Sequence, residues 1–215
     1  MAVRAEASSS SGQRDWWLRA VLVLQSPRAV FAALKDESQD AVEARQEPVT
    51  ALVFLAGIAG VLLAPRFGRM MDDHAVDGLL VAVIAVAAGG MYGFFAFWVF
   101  GWGLSACVST LHGSARAHLC RHLLAYSAAP LALSLFLVWP LKLALYGSRV
   151  FKSGGPDSGT GGTVLRWIAL GFVGWSLALL VVGLRTVEGW SWPRALVPPA
   201  ALTAVVLLIW AAVGR

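Results

Sequence analysis

The chain reads as an all-α protein: a polytopic transmembrane helical bundle of five spans, preceded by an amphipathic interfacial helix. Three observations predict this. Five long apolar stretches run through the 215 residues, and no Asp or Glu falls inside any of them. Hydrophobic residues make up 58 % and charged residues only 13 %, where a soluble domain carries about 25 % charged residues. Mean hydropathy is +0.71. The length suits a single unit and implies no second domain.

In chain order, residues 1–15 are rich in Ala and Ser, lack the apolar core of a signal peptide, and read as a disordered tail. Residues 16–47 read as an amphipathic interfacial segment. Ser26 followed by Pro27 marks a helix start, a capping hydroxyl with proline in the first turn. Val30, Phe31 and Leu34 then share a face opposite Arg28, Lys35, Asp36 and Glu37. Trp16, Trp17 and Phe31 are the expected membrane anchors, with Trp16 and Trp17 at headgroup level beside Arg14 and Arg19. Packing of the same helix on the bundle is the alternative.

The remainder, 48–215, is the expected five-helix transmembrane domain. Its first span, 48–64, is near the lower length limit for a bilayer core of about 30 Å. Residues 78–111 form one long second span, because the piece before Gly89-Gly90 is too short to cross alone. The third, 123–146, is interrupted by Pro130 and Pro140, which free backbone carbonyls and bend a helix. Residues 153–162 (SGGPDSGTGG) read as a flexible loop. The fourth span is 163–187, and Pro198-Pro199 opens the fifth, 196–213. No internal repeat of the inverted-transporter kind is present.

Charge is unevenly placed. Ten of the twelve acids precede the second span, leaving only Asp157 and Glu188 after it. The net +5 therefore lies on a basic membrane core, which suits anionic lipid headgroups and not nucleic acid. Lys and Arg before the first span bias the amino terminus toward the cytoplasm, and five spans then leave the carboxy terminus outside.

Few residues suggest chemistry. The loop 112–122 gathers His112, Arg116, His118, Cys120, Arg121 and His122. His118 and His122 lie one turn apart, yet no acid is close in sequence and arginines flank them, so no metal is expected. Arg116, His118, Arg121 and His122 instead read as a basic junction for lipid headgroups or a partner. Down the second span, Gly89, Gly93, Gly101 and Ser105 recur at multiples of four residues. Such a face lets another helix backbone approach, either within the bundle or as a homodimer seam. Lys142, Arg149 and Arg166 sit near span ends, where long side chains reach water. Cys107 and Cys120 have no metal or redox spacing. No catalytic motif or intramembrane carboxylate pair is present, no cofactor is called for, and an enzyme is not expected.

Three stretches stand together: SPRAVFAAL before the first span, LHGSARAHLCRHLLAYSAAPL leading into the proline-bearing span, and WSLALLVVGLRTVEGWSWPRALV joining the last two. In combination they resemble the Yip-domain (Ypt-interacting protein) family of five-span membrane proteins, and its prokaryotic branch in particular. The resemblance runs from about Ser26 to Val213 and rests on pattern: the Gly113 turn, Tyr126-Ser127 before Pro130, and the Ser191/Arg194 turn. It implies a non-enzymatic protein of membrane organisation with a trafficking-type role, in a prokaryotic cytoplasmic membrane. Eukaryotic members associate with Rab-type GTPases and carry a longer amino-terminal region with a DLYGP-like motif. This chain lacks that motif, so GTPase binding is not carried over. The expected function is an adaptor or organiser that contacts the bilayer and a membrane-protein partner. A small transporter or permease subunit for a neutral or lipid-like solute is the alternative.

Overall fold

In hydrocarbon every backbone N–H and C=O must be paired within the chain, so long apolar runs fold as helices. The computed structural model of the protein describes residues 14–64, 67–73, 76–155 and 159–213, with side chains through Leu208, and all regular structure among them is helical. The amino-terminal helices are α1 (residues 14–22), α2 (Pro27–Ala33), α3 (Gln39–Ala44) and α4 (Gln46–Leu62). There follow α5 (Gly78–Thr110), α6 (Ala117–Ser127), α7 (Ala129–Tyr146), α8 (Thr160–Glu188) and α9 (Trp192–Val213). Short 3-10 turns occupy Phe67–Asp72 and Gly147–Phe151. Four stretches are long and apolar enough to cross a bilayer: Gln39–Leu62, Gly78–Thr110, Ala117–Phe151 and Thr160–Glu188. The 22-residue α9 is the fifth apolar helix. The chain is an all-α, multi-pass membrane protein.

Several boundaries differ from expectation for local reasons. The tail expected to be disordered lies outside the described residues up to position 13, whereas Arg14 and Asp15 already belong to α1. Ser26 precedes α2, but its hydroxyl caps nothing; its carbonyl accepts the Val30 N–H and Pro27 supplies the first turn. The second span is one unbroken helix of 33 residues, started by Asp77, whose carboxylate accepts the Leu80 N–H at 2.8 Å. At about 1.5 Å per residue it exceeds a bilayer core. The basic loop is short, since α6 already begins at Ala117 and places His118, Arg121 and His122 on a helix. Pro130 stands in the first turn of α7, where its missing N–H costs nothing, and Pro140 lies inside that helix. Thr160 to Gly162 belong to α8 and not to the glycine-rich loop. Pro198 and Pro199 lie inside α9, which opens at Trp192 because Pro193 fits its first turn.

The chain divides into two units, residues 1–50, 97–127 and 177–215 in one, and 51–96 and 128–176 in the other. The first buries Trp16, Val23, Phe31, Leu34, Leu104, Val108, Leu123, Tyr126, Leu184 and Trp190. Gly183 of α8 makes the space for this. A Cβ there would stand 3.2 Å from the Phe31 ring and 3.0 Å from Leu123.

The second unit packs Phe67, Val81, Ala85, Trp139, Val150 and Phe151 together. Trp139 and Phe151 stack with ring centroids 6.0 Å apart and planes 3° from parallel. Asp72 ties the two 3-10 regions, accepting the Ser153 N–H at 2.7 Å and its hydroxyl. Those hydrogen bonds hold the Asp72 carboxyl below the usual aspartate value. In both units large apolar side chains face outward, among them Met91, Phe95, Trp98, Trp102, Trp167 and Leu208. Exposed apolar surface on that scale marks a lipid-facing exterior.

Candidate functional site

The polar features of the first unit gather where α5 hands over to α6 and α8 to α9. Helix α5 ends in a Schellman motif. The Gly113 N–H bonds the Val108 carbonyl at 2.9 Å and the His112 N–H bonds that of Ser109 at 3.0 Å. His112 takes the left-handed conformation this requires, with φ 54°.

Gly113 is pressed between Val108 and Trp190, and a Cβ there would stand 2.8 Å from the indole. Glu188, the last residue of α8, then accepts the Ser114 N–H at 2.8 Å, the Ser114 hydroxyl at 3.3 Å and the Ala115 N–H at 2.6 Å. Its charge sits just ahead of the α6 amino terminus, where the helix dipole favours an anion. From α9, Arg194 donates to the Leu111 carbonyl and stacks on Trp190 at 4.6 Å. Arg185 lies 4.5 Å over Trp192. The short loop is thus clamped by the turn between α8 and α9.

The clamp decides where the expected basic residues go, and they separate. Arg116 is three-quarters exposed and pairs with Glu37 at 3.1 Å. His118 Nε2 reaches the other oxygen of Glu37 at 3.3 Å. Arg121 turns instead toward α5, lying over Gly101 with its guanidinium 4.0 Å above Trp98. His122 points inward, and its Nδ1 is buried without a partner among the described residues. The His118 and His122 rings are 6.2 Å apart. Arg116 and His118 therefore present a polar surface together with Glu37, and His122 does not belong to it.

Of the three expected anchors only Trp17 is exposed, at 44 %, beside Leu18, Val21 and Leu22 on the outer face of α1. Trp16 and Phe31 are corrected: at 3 % and 0 % exposed they are core residues. Helix α1 is apolar on two faces, so sequence amphipathicity could not say which face is covered. The small-residue row is likewise divided. Gly89 and Gly93 admit the backbone of α4 at Gly57 and Ile58; a Cβ on Gly57 would stand 2.6 Å from the Gly93 Cα. That face is filled by the chain itself, which leaves no open seam there. Gly101 makes room for Arg121.

Sequence reading missed Arg45. It is 0 % exposed, caps the end of α3, and donates from Nη1 to the Leu34 carbonyl at 3.1 Å. Among the described residues its Nε and Nη2 have no partner, nor has the buried Tyr126 hydroxyl. Trp16 lies against both, its ring 5.5 Å from the guanidinium carbon and 5.8 Å from the Tyr126 ring. The available signal was a lone cation among Asp40, Glu43 and Glu47, three residues before the proline that begins the first apolar run.

A family model, described as the Yip1 domain, matches residues 21–213. No curated protein matches the chain, and no solved structure does.

Proposed function

Because the chain belongs to the Yip1 domain family, we propose that it is a non-enzymatic membrane organiser or adaptor, with a trafficking-type role at a prokaryotic cytoplasmic membrane. One observation carries the reading. The first unit fixes α1 and α2 through Trp16, Val23, Phe31 and Leu34, and so holds an outward apolar strip (Trp17, Leu18, Val21, Leu22) on the unit that also displays Arg116, His118 and Glu37. An apolar strip suits the acyl boundary and the charged residues suit headgroups or a partner's polar surface. The clamp by Glu188 and Arg194 keeps the loop that carries Arg116 in one conformation, as a docking surface needs.

The test is lipid selection by the full chain in nanodiscs of mixed zwitterionic and anionic lipid, read by native mass spectrometry of the retained lipids. Arg116→Ala with His118→Ala should lower the anionic enrichment severalfold at low salt. Unchanged enrichment in that variant removes the headgroup part of the reading. Solute flux in proteoliposomes above that of empty vesicles would move the assignment to transport.

A further inference from the structure

Buried hydrogen-bonding groups are nearly always partnered, and a cluster of orphans asks for a missing ligand, water or ion. The first unit holds such a cluster. Arg45 Nε and Nη2, the Tyr126 hydroxyl and His122 Nδ1 are all buried and all unpartnered among the described residues. They are neighbours: Trp16 lies against both Arg45 and Tyr126, and His122 precedes Tyr126 by one turn on α6.

The orphaned pair on Arg45 is informative. Nε–H and Nη2–H point the same way from one edge of the guanidinium, the fork that grips two oxygens of an oxyanion. The remaining donor used, Nη1, is turned to the Leu34 carbonyl and holds the fork in place. No carboxylate pairs directly with Arg45 among the described residues: Glu37 is engaged by Arg116 and His118, and Asp36 accepts the Ser38 N–H at 3.0 Å, so both act on the guanidinium only from a distance.

We propose that Arg45, Tyr126 and His122 form a covered oxyanion site that takes a phosphate group, with Trp16 as its cover. The donors come from α6 and from the junction of α3 and α4, so they approach from separate elements. A tetrahedral phosphate offers oxygens in several directions, whereas a carboxylate offers two in one plane. Arg45 and His122 stand in the opening turns of two apolar stretches that are long enough to cross a bilayer. A phosphodiester headgroup and free phosphate share this chemistry. Entry requires Trp16, on the amino-terminal helix, to swing aside. The inference does not rest on the adaptor reading, which uses Arg116 and His118.

The experiment uses the full chain in neutral detergent and phosphate-free buffer, with removal of bound lipid checked by native mass spectrometry. Tm is measured against inorganic phosphate, against short-chain dihexanoyl phosphatidylglycerol, and against sodium chloride at matched ionic strength. A saturable rise in Tm above the chloride control is expected. Arg45→Gln should abolish it, and Tyr126→Phe should raise the half-saturating concentration about fivefold to tenfold through loss of one hydrogen bond to a charged group. A response to the lipid alone assigns a headgroup, to inorganic phosphate alone a soluble phosphate, and to both the phosphate group itself. If Arg45→Gln does not fold, Tyr126→Phe carries the test. No rise with either probe, or a rise unchanged in the variants, overturns the proposal.

Discussion

Single residues here act mainly by closing hydrogen-bond accounts that helix ends leave open. Glu188 is the clearest case, because one carboxylate accepts two backbone N–H groups and a hydroxyl at the start of α6. Glu188→Ala should lower unfolding free energy by about 1–3 kcal/mol, since partly buried N–H donors are left unpaired. Thermal or denaturant unfolding in detergent measures it, and an unchanged midpoint would show that water replaces the carboxylate without loss. Asp72 does a similar job in the second unit, on the surface. Its folded pKa is lowered by Ser153, so its contribution is present above the ordinary aspartate value of about 3.9 and is lost as pH falls through the folded value. Ser153→Ala should therefore flatten the acid limb of the stability profile and leave the neutral region with only a small loss. An acid limb as steep as that of wild type would show that the clip is not populated.

At the scale of helices, glycine decides which pairs come close. Gly57, Gly89 and Gly93 let α4 and α5 meet backbone to backbone, and Gly90 receives the Phe54 ring. Gly93→Leu would drive a side chain into the Val53 carbonyl and the Gly57 Cα. Overpacking of this kind costs about 1–3 kcal/mol or more, and here backbone leaves little room to yield. Loss of folded protein on size-exclusion chromatography is the expected outcome. A folded Gly93→Leu protein that has only lost a crosslinked dimer would restore the seam reading. The four-residue row was visible in the sequence, but its partner was not. A stripe of small residues is the same whether a helix of this chain or of another copy lies on it. The basic cluster was legible in the same limited way: its residues stand close together in the sequence, but helical rotation sends Arg121 to Trp98 and His122 inward.

For the molecule as a whole, the outward-facing apolar side chains make the bilayer part of the folded state, and orientation follows from flanking charge. Six of the seventeen Lys and Arg residues precede the first apolar run, which favours a cytoplasmic amino terminus. If α9 makes a fifth crossing, a reporter active only outside the cytoplasm and fused after Arg215 should be active. A silent reporter, with a cytoplasmic one active at the same place, would mean that α9 does not cross or that the orientation is reversed.

The sequence by itself determined the solvent and the element type, because apolar runs without acids have one stable form in lipid. It also marked the long second span to within a residue and carried the pattern of the family. Boundaries near proline were harder, since proline is equally at home in a first turn, as at Pro193, and inside a membrane helix, as at Pro198 and Pro199. Only the tertiary structure decided that Trp16 and Phe31 are core, that Glu188 and Arg194 clamp the α5–α6 loop, and that Arg45 is buried with an open fork. The physical reason is common to all three. Burial and hydrogen-bond satisfaction depend on which distant segment arrives at a side chain, and residue type and spacing along one chain do not encode that arrival locally.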